Sequence, residues 1–200
     1  MSQATRKRFV PPTPPRTPKA AATRRQLIGV AGDLFIERGY DAVSLKDIAD
    51  EAGLTKGAIY GHFSSKGQLL VEVIRWKLAE REHAPEYLEA VAQPGAAALL
   101  IDAAGREARL LQIDAAAASR HDPDVAAGMR ELNEERFRAI EDATGDARDP
   151  HVVAYIIEAI AFGTGAQEAF GNEVPDPERW IETFGPMLDS AFSEGLPDDD

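Results

Sequence analysis

Apolar residues recur three and four positions apart along most of this chain, the spacing that puts them on one side of a helix, and nowhere do they alternate as in a half-buried strand. Leu27, Ile28, Ala31, Leu34 and Phe35 mark a helix from about Thr23 to Arg38, stopped by Gly39. Ser44-Leu45-Lys46-Asp47 opens a second, with Ser44 as N-cap, Asp47 near the first-turn amides, and Leu45, Ile48, Ala49 and Ala52 facing inward. Gly53-Leu54 makes a tight turn. A short third helix follows from Lys56 to about Phe63, capped by Thr55 and anchored by Leu54, Ala58, Ile59 and Phe63. Ser65-Lys66-Gly67-Gln68 reads as a capping box for a long fourth helix bearing Leu69, Leu70, Val73, Ile74 and Leu78.

Further along, Asp122-Pro123, Asp149-Pro150 and Asp176-Pro177 each announce a helix start, because proline at the first helical position lacks only an N–H that would be orphaned there anyway. Helices are expected over roughly 96–104, 106–120, 123–143, 150–171 and 177–194. The segments between these pairs do not resemble one another, so their even spacing is not a repeat. Val125, Met129, Leu132, Phe137 and Ile140 form the buried stripe of the 123–143 helix. Between Val152 and Phe162 only Glu158 is charged, which suits a helix with one face on its own core and another on a partner. Trp180, Ile181, Phe184, Met187, Leu188, Ala191 and Phe192 stripe the following helix, where Pro186 forfeits a hydrogen bond and is expected to kink it. The expected fold is all-α. It divides into a flexible, proline-rich basic arm (1–22), a three-helix module (23–68), a larger helical body (69–195) and an acidic tail (196–200).

Charge sharpens this division. The 200 residues carry a net charge of -12, yet residues 1–77 hold 13 Lys/Arg against 7 Asp/Glu, net +6, and the remainder is strongly acidic. A protein that meets nucleic acid only at its N-terminal end benefits when the rest is repelled by phosphates. The bland alternative is an acidic helical body with an ordinary charge fluctuation. With no cysteine, disulfides, thiolate zinc sites and cysteine nucleophiles are excluded. The longest apolar run, Ala96–Ile101, is far short of the roughly 18–20 residues of a membrane span. Prolines interrupt the stretch where a signal peptide needs apolar residues, so a soluble cytoplasmic protein is expected.

A helix of about eight residues, a turn at glycine and a short helix beginning Thr-Lys-Gly fit a helix-turn-helix. Ile59 and Phe63 pin the second helix while Thr55, Lys56, Gly57, Tyr60, Gly61 and His62 remain to face outward, with Lys66 adding a cation at the rim. The run Phe35-Ile36-Glu37-Arg38-Gly39-Tyr40, the run from Ile48 to Tyr60, then His62-Phe63 and Ser65-Lys66 resemble the DNA-binding domain of the TetR family of bacterial transcriptional regulators over about residues 24–72. The resemblance implies a homodimer that binds double-stranded operator DNA, a small-molecule effector held by the C-terminal helices, and repression released by that effector. It implies DNA contacts for Ser44, Thr55, Lys56, Gly57, Tyr60, His62 and Lys66. Gly61 departs from the family pattern, where a larger side chain often stands. Tyr60 also suits a half-buried core role, and Thr55 is a cap whatever else it does.

Arg6, Lys7, Arg8, Arg16, Lys19, Arg24 and Arg25 are seven cations without an acid, placed to reach the DNA backbone or minor groove, or else to sit in an inert leader. Helical faces suggest Trp76, Leu110, Met129, Phe137, Tyr155 and Phe162 as pocket lining, with Arg109, Asn133 and Gln167 as polar anchors, each in competition with a plain core or surface role. Val153, Ile157, Ile160, Trp180, Phe184 and Leu188 are the candidate dimer contacts. No cofactor or metal is expected: the four histidines lack metalloprotease spacing, Glu80-x-x-His83 stands alone, and Gly163-Thr164-Gly165 follows no strand. An all-helical enzyme and a protein-interaction module are the alternatives from other classes.

Overall fold

The computed structural model describes residues 11–82, 101–143 and 149–192, and every regular element among them is helical. In chain order these are α1 (Pro18–Arg38), α2 (Leu45–Glu51), α3 (Lys56–Tyr60), α4 (Lys66–Glu82), α5 (Arg106–Ala118), α6 (Pro123–Ala143), α7 (Pro150–Ala169) and α8 (Pro177–Phe192). The all-α expectation holds, and all three Asp-Pro pairs start helices. Pro186 lies inside α8.

Three boundaries differ from the sequence reading. First, α1 begins at Pro18, five residues before Thr23. The Thr17 side chain accepts a hydrogen bond from the Ala20 N–H, Pro18 fills the first helical position, and three alanines follow, so the end of the expected arm is helix. Second, α3 stops at Tyr60, although the N–H groups of His62 and Phe63 still bond to the Ile59 carbonyl in a tight turn. Third, of the helix expected over 96–104, the described residues 101–104 enter a 3-10 turn at Ala103–Gly105, capped by Asp102, which leads into α5. Residues 96–100 lie outside the described residues, as do Arg6, Lys7, Arg8 and the tail 196–200.

The chain forms two compact units. One holds residues up to Lys77 together with Leu111–Leu132; the other holds Leu78–Leu110 and the residues from Asn133 onward. The first unit thus recruits a distant segment to the three-helix module. Its core includes Leu27, Ile28, Leu34, Phe35, Ile48, Ile59, Phe63, Leu69, Leu70 and Ile74, all under 5% exposed, each contributing about 1.5–3 kcal/mol of apolar burial. Leu111, Ala115 and Val125 are buried as well, and Met129 packs against Val71 and Ala127. Gly32 lets α1 approach α4, since a Cβ there would stand 3.2 Å from Val73 Cγ1.

The second unit holds one buried and one part-buried charged cluster. Arg109 on α5 and Glu168 on α7 form a two-pronged pair at 2.9 and 2.8 Å, both side chains about 5% exposed. Arg136 on α6 bridges Glu82 on α4 and Glu158 on α7. Burial alone would lower the Arg136 pKa, but the two carboxylates outweigh it and push it up.

Candidate nucleic-acid interface

The exposed end of the first unit is assembled from turns. Gly39 ends α1 with φ at +80°, a conformation that disfavours any side chain. At Ser44 a capping box closes: the Ser44 Oγ accepts from the Asp47 N–H at 3.2 Å, and the Asp47 carboxylate accepts from the Ser44 N–H at 2.8 Å and its hydroxyl at 2.6 Å. These bonds hold the Asp47 pKa below its ordinary value. Helix α2 ends in a Schellman turn, with Gly53 at φ +64° and the N–H groups of Gly53 and Leu54 bonded to the Asp50 and Ala49 carbonyls. The α2 surface cation Lys46 is paired with Asp50, which raises its pKa.

Thr55 then caps α3 by accepting from the Ala58 N–H at 3.2 Å. Ile59 and Phe63, at 0% and 1% exposure, fix this short helix to the core. The opposite side is open: Thr55, Lys56, Gly57, Tyr60 and Gly61 are all exposed, Tyr60 by 53%. Lys56 Nζ lies 5.9 Å from the centre of the Tyr60 ring, so a cation and an aromatic ring share one patch. Ser44 is exposed at the start of α2, whereas His62 is half-buried with its ring 6.3 Å from that of Phe63.

Two cations from the sequence reading are committed to internal roles. Lys66 donates to the Tyr40 and Val43 carbonyls at 2.9 and 3.0 Å and sits 3.9 Å from the centre of the Tyr40 ring. It is therefore a tie across the α1–α2 turn and not a free rim charge; burial lowers its pKa, with Asp41 and Asp122 opposing. Arg24 pairs with the buried Glu72 of α4 and stacks over Phe63, so it is not an arm cation. Arg16, Lys19 and Arg25 are exposed.

The pocket candidates are divided between the two units. Trp76 and Met129 belong to the first unit, and Arg109, Leu110, Asn133, Phe137, Tyr155, Phe162 and Gln167 to the second. Arg109 spends three of its five N–H donors on Glu168 and the Asp102 carbonyl, and its Nη1 has a long contact, 3.5 Å, with Asp102 Oδ1. Asn133 and Gln167 are exposed, the latter accepting from Asn172 at 2.6 Å. Phe137 is half-buried, with its ring 6.5 Å from that of Tyr155. Tyr155 and Phe162 are 64% and 42% exposed, on the outside of α7 rather than toward an interior. Of the dimer candidates, Val153 is 4% exposed, while Ile157, Ile160, Trp180 and Phe184 are half-buried. The Leu188 side chain lies outside the described residues. Sequence reasoning missed Gln26, which donates to the Ala52 carbonyl at the end of α2 at 2.9 Å, and missed Asp114 and Asp122, which grip Tyr40.

A capped α2, a glycine turn and a capped α3 pinned on one side and open on the other define a helix-turn-helix protein. Residues 27–73 match the family model described as bacterial regulatory proteins, tetR family. The N-terminal helices of this chain are thus similar to those of the TetR family. The HTH-type transcriptional repressor KstR2 of Mycolicibacterium smegmatis is 45% identical over 62 residues, 30% of each chain. The HTH-type transcriptional activator FasR of the same organism is 44% identical over 52 residues, 26% of this chain and 24% of its own length. The matched stretch thus spans under a third of these curated relatives. A solved structure assigned to the TetR-family transcriptional regulators, from Rhodococcus sp., shares the fold with a TM-score of 0.70 over 86% of this chain and 100% of its own, at 17% identity.

Proposed function

We propose that this protein is a sequence-specific, DNA-binding transcriptional regulator of the TetR kind, a repressor that leaves its operator when a small apolar or amphipathic molecule binds. The observation that carries this reading is the open face of α3, with Lys56, Gly57 and Tyr60 displayed on a helix fixed to the core by Ile59 and Phe63, inside the segment that matches the family model. Such a face presents a cation and a glycine that admits close approach at the N-terminal end of the helix, and an aromatic edge at its last residue, on the side a major groove can meet. Ser44 and Thr55 add hydroxyls beside the capped helix starts, and His62 stands half-covered at the far end. Arg16, just before α1, and Lys19 and Arg25 on it are exposed cations available to phosphates. Matched relatives include both a repressor and an activator, and repression is the reading adopted here. These relatives are named as regulators, which sets the enzyme alternative aside.

The protein works in this reading as a homodimer. Helix α7 exposes Val152, Tyr155, Ile156 and Phe162, and α8 exposes Met187, apolar area suited to a second copy. Its place is the cytoplasm, with the operator; no described helix is long and apolar enough to cross a membrane. The test is selection of bound duplexes from a random pool. A two-fold dimer predicts enriched inverted repeats with half-sites about one helical turn, ~34 Å, apart or a multiple of it. Recovery of unrelated duplexes, with affinity set by salt alone, would refute sequence-specific regulation.

A further inference from the structure

The turn between α1 and α2 is held from three sides, all within the first unit. Asp114 of α5 accepts from the backbone N–H of Tyr40 at 2.9 Å. Asp122, at the corner between α5 and α6, accepts from the Tyr40 hydroxyl at 2.8 Å, and the Tyr40 side chain is almost fully buried. Lys66 ties the Tyr40 and Val43 carbonyls from α4. The clamp leaves little slack. The second Asp122 oxygen is occupied by the Asp124 and Val125 N–H groups at the start of α6, and a Cβ on Gly67 would stand 2.9 Å from Asp122 Oδ2 and from Val125 Cγ2. Immediately after this turn Ser44 caps α2, and α2 passes through the Gly53 turn into α3.

We infer that Tyr40 and Asp122, 82 positions apart, are positioning residues for DNA recognition: their hydrogen bond sets where α2 starts and therefore where α3 presents Lys56 and Tyr60. This rests on the DNA-binding reading above. Neither residue needs to touch DNA. Ordinary core burial would hold the module together without this bond, since Leu27, Phe35, Ile48, Ile59, Phe63, Leu69 and Leu70 are almost fully buried. What core packing leaves loosely specified is the rotation and register of a polar turn, and a part-buried hydrogen bond to a carboxylate is directional where apolar contact is not.

The experiment compares Tyr40→Phe, Asp122→Ala, Asp122→Asn, Gly67→Ala and the core control Val71→Ala on the operator selected by the unsubstituted chain and on a scrambled duplex, well below the melting temperature of each variant. Tyr40→Phe and Asp122→Ala remove one partner each, and Gly67→Ala displaces the carboxylate without deleting a polar group. These three are expected to lose about tenfold in operator affinity while scrambled-duplex affinity stays within about twofold. Asp122→Asn keeps an oxygen for the α6 cap and turns an N–H toward the tyrosine oxygen, so it should retain operator affinity within about threefold. Val71→Ala should lower the melting temperature and leave both affinities alone. If Tyr40→Phe fails to fold, Gly67→Ala carries the same comparison. Operator affinity unchanged in Tyr40→Phe and Asp122→Ala, or lost in step with stability as in Val71→Ala, overturns the inference while the DNA-binding reading stands. Failure of the unsubstituted chain to select any duplex overturns both.

Discussion

Replacing Glu168 by alanine removes the partner that keeps a buried guanidinium tolerable. Arg109 gives Glu168 two donors, at 2.9 and 2.8 Å, and the Asp102 carbonyl a third at 2.9 Å; its contact with Asp102 Oδ1, at 3.5 Å, is long. With both side chains about 5% exposed, water cannot replace the lost carboxylate without opening the unit. Breaking such a pair from one side should cost about 3–5 kcal/mol, most of it the penalty of an uncompensated charge. Glu168→Gln keeps one acceptor and should cost about 1.5–3 kcal/mol. Arg106, 3.9 Å from Glu168 and more than half exposed, is too solvated to compensate. Changing both partners, Arg109→Met with Glu168→Leu, should recover most of the loss, because apolar side chains of similar volume need no hydrogen bonds. Urea unfolding at several protein concentrations measures these values with dimer mass action separated out. A loss below about 1 kcal/mol for Glu168→Ala would show that the pair is not the structural device described, and would return Arg109 to candidacy as a ligand anchor.

Further outcomes follow from other contacts. Gly165→Ala should destabilise by about 1–3 kcal/mol despite the better helix propensity of alanine, because its Cβ would meet Arg109 Cβ at 2.9 Å and the Arg109 carbonyl at 3.0 Å; Gly29→Ala, with nothing within 4 Å, should instead stabilise by about 0.5–1 kcal/mol, and thermal unfolding of the two distinguishes them. Asp47 has its folded pKa below the unfolded value, so its contribution is present above about pH 4 and lost as pH falls through the folded value; acid titrations should show Asp47→Asn flattening that loss, and unchanged profiles would contradict the capping box. Tyr155→Glu places a charge on the outer face of α7 and should give monomers in equilibrium sedimentation, while an intact dimer would move the interface elsewhere.

The helix-turn-helix was legible because its signals are local. Ser44 and Thr55 sit three residues before the amides they cap, and Gly53 supplies the positive φ its turn requires, so a single sequence displays them. Thr17-Pro18 carries the same cap-and-proline signature as the three Asp-Pro pairs, yet the prolines before it favoured an extended arm and hid the start of α1. The pairings that decide side-chain roles were not legible. Tyr40 with Asp122 and Arg109 with Glu168 are 82 and 59 positions apart, and nothing near any of these residues names its partner. For that reason Lys66 read as a free cation and Arg109 as a ligand anchor. Tyr155 and Phe162 read as pocket lining because an aromatic on an apolar helix has the same pattern whether it faces a core, a ligand or a second copy.

The most direct test of the central claim is the affinity of the Lys56→Ala, Tyr60→Ala double variant for the palindromic duplex selected by the unsubstituted chain, measured at fixed salt beside a scrambled duplex. Both side chains stand on the open face of α3 and neither holds the core, so the fold should survive. Each is expected to contribute on the order of 1–3 kcal/mol to operator binding, so the double variant should lose at least about 2 kcal/mol, some thirtyfold, with little change on the scrambled duplex beyond one lost phosphate contact. Undiminished operator binding by a folded double variant would contradict the assignment of α3 as the DNA-reading element.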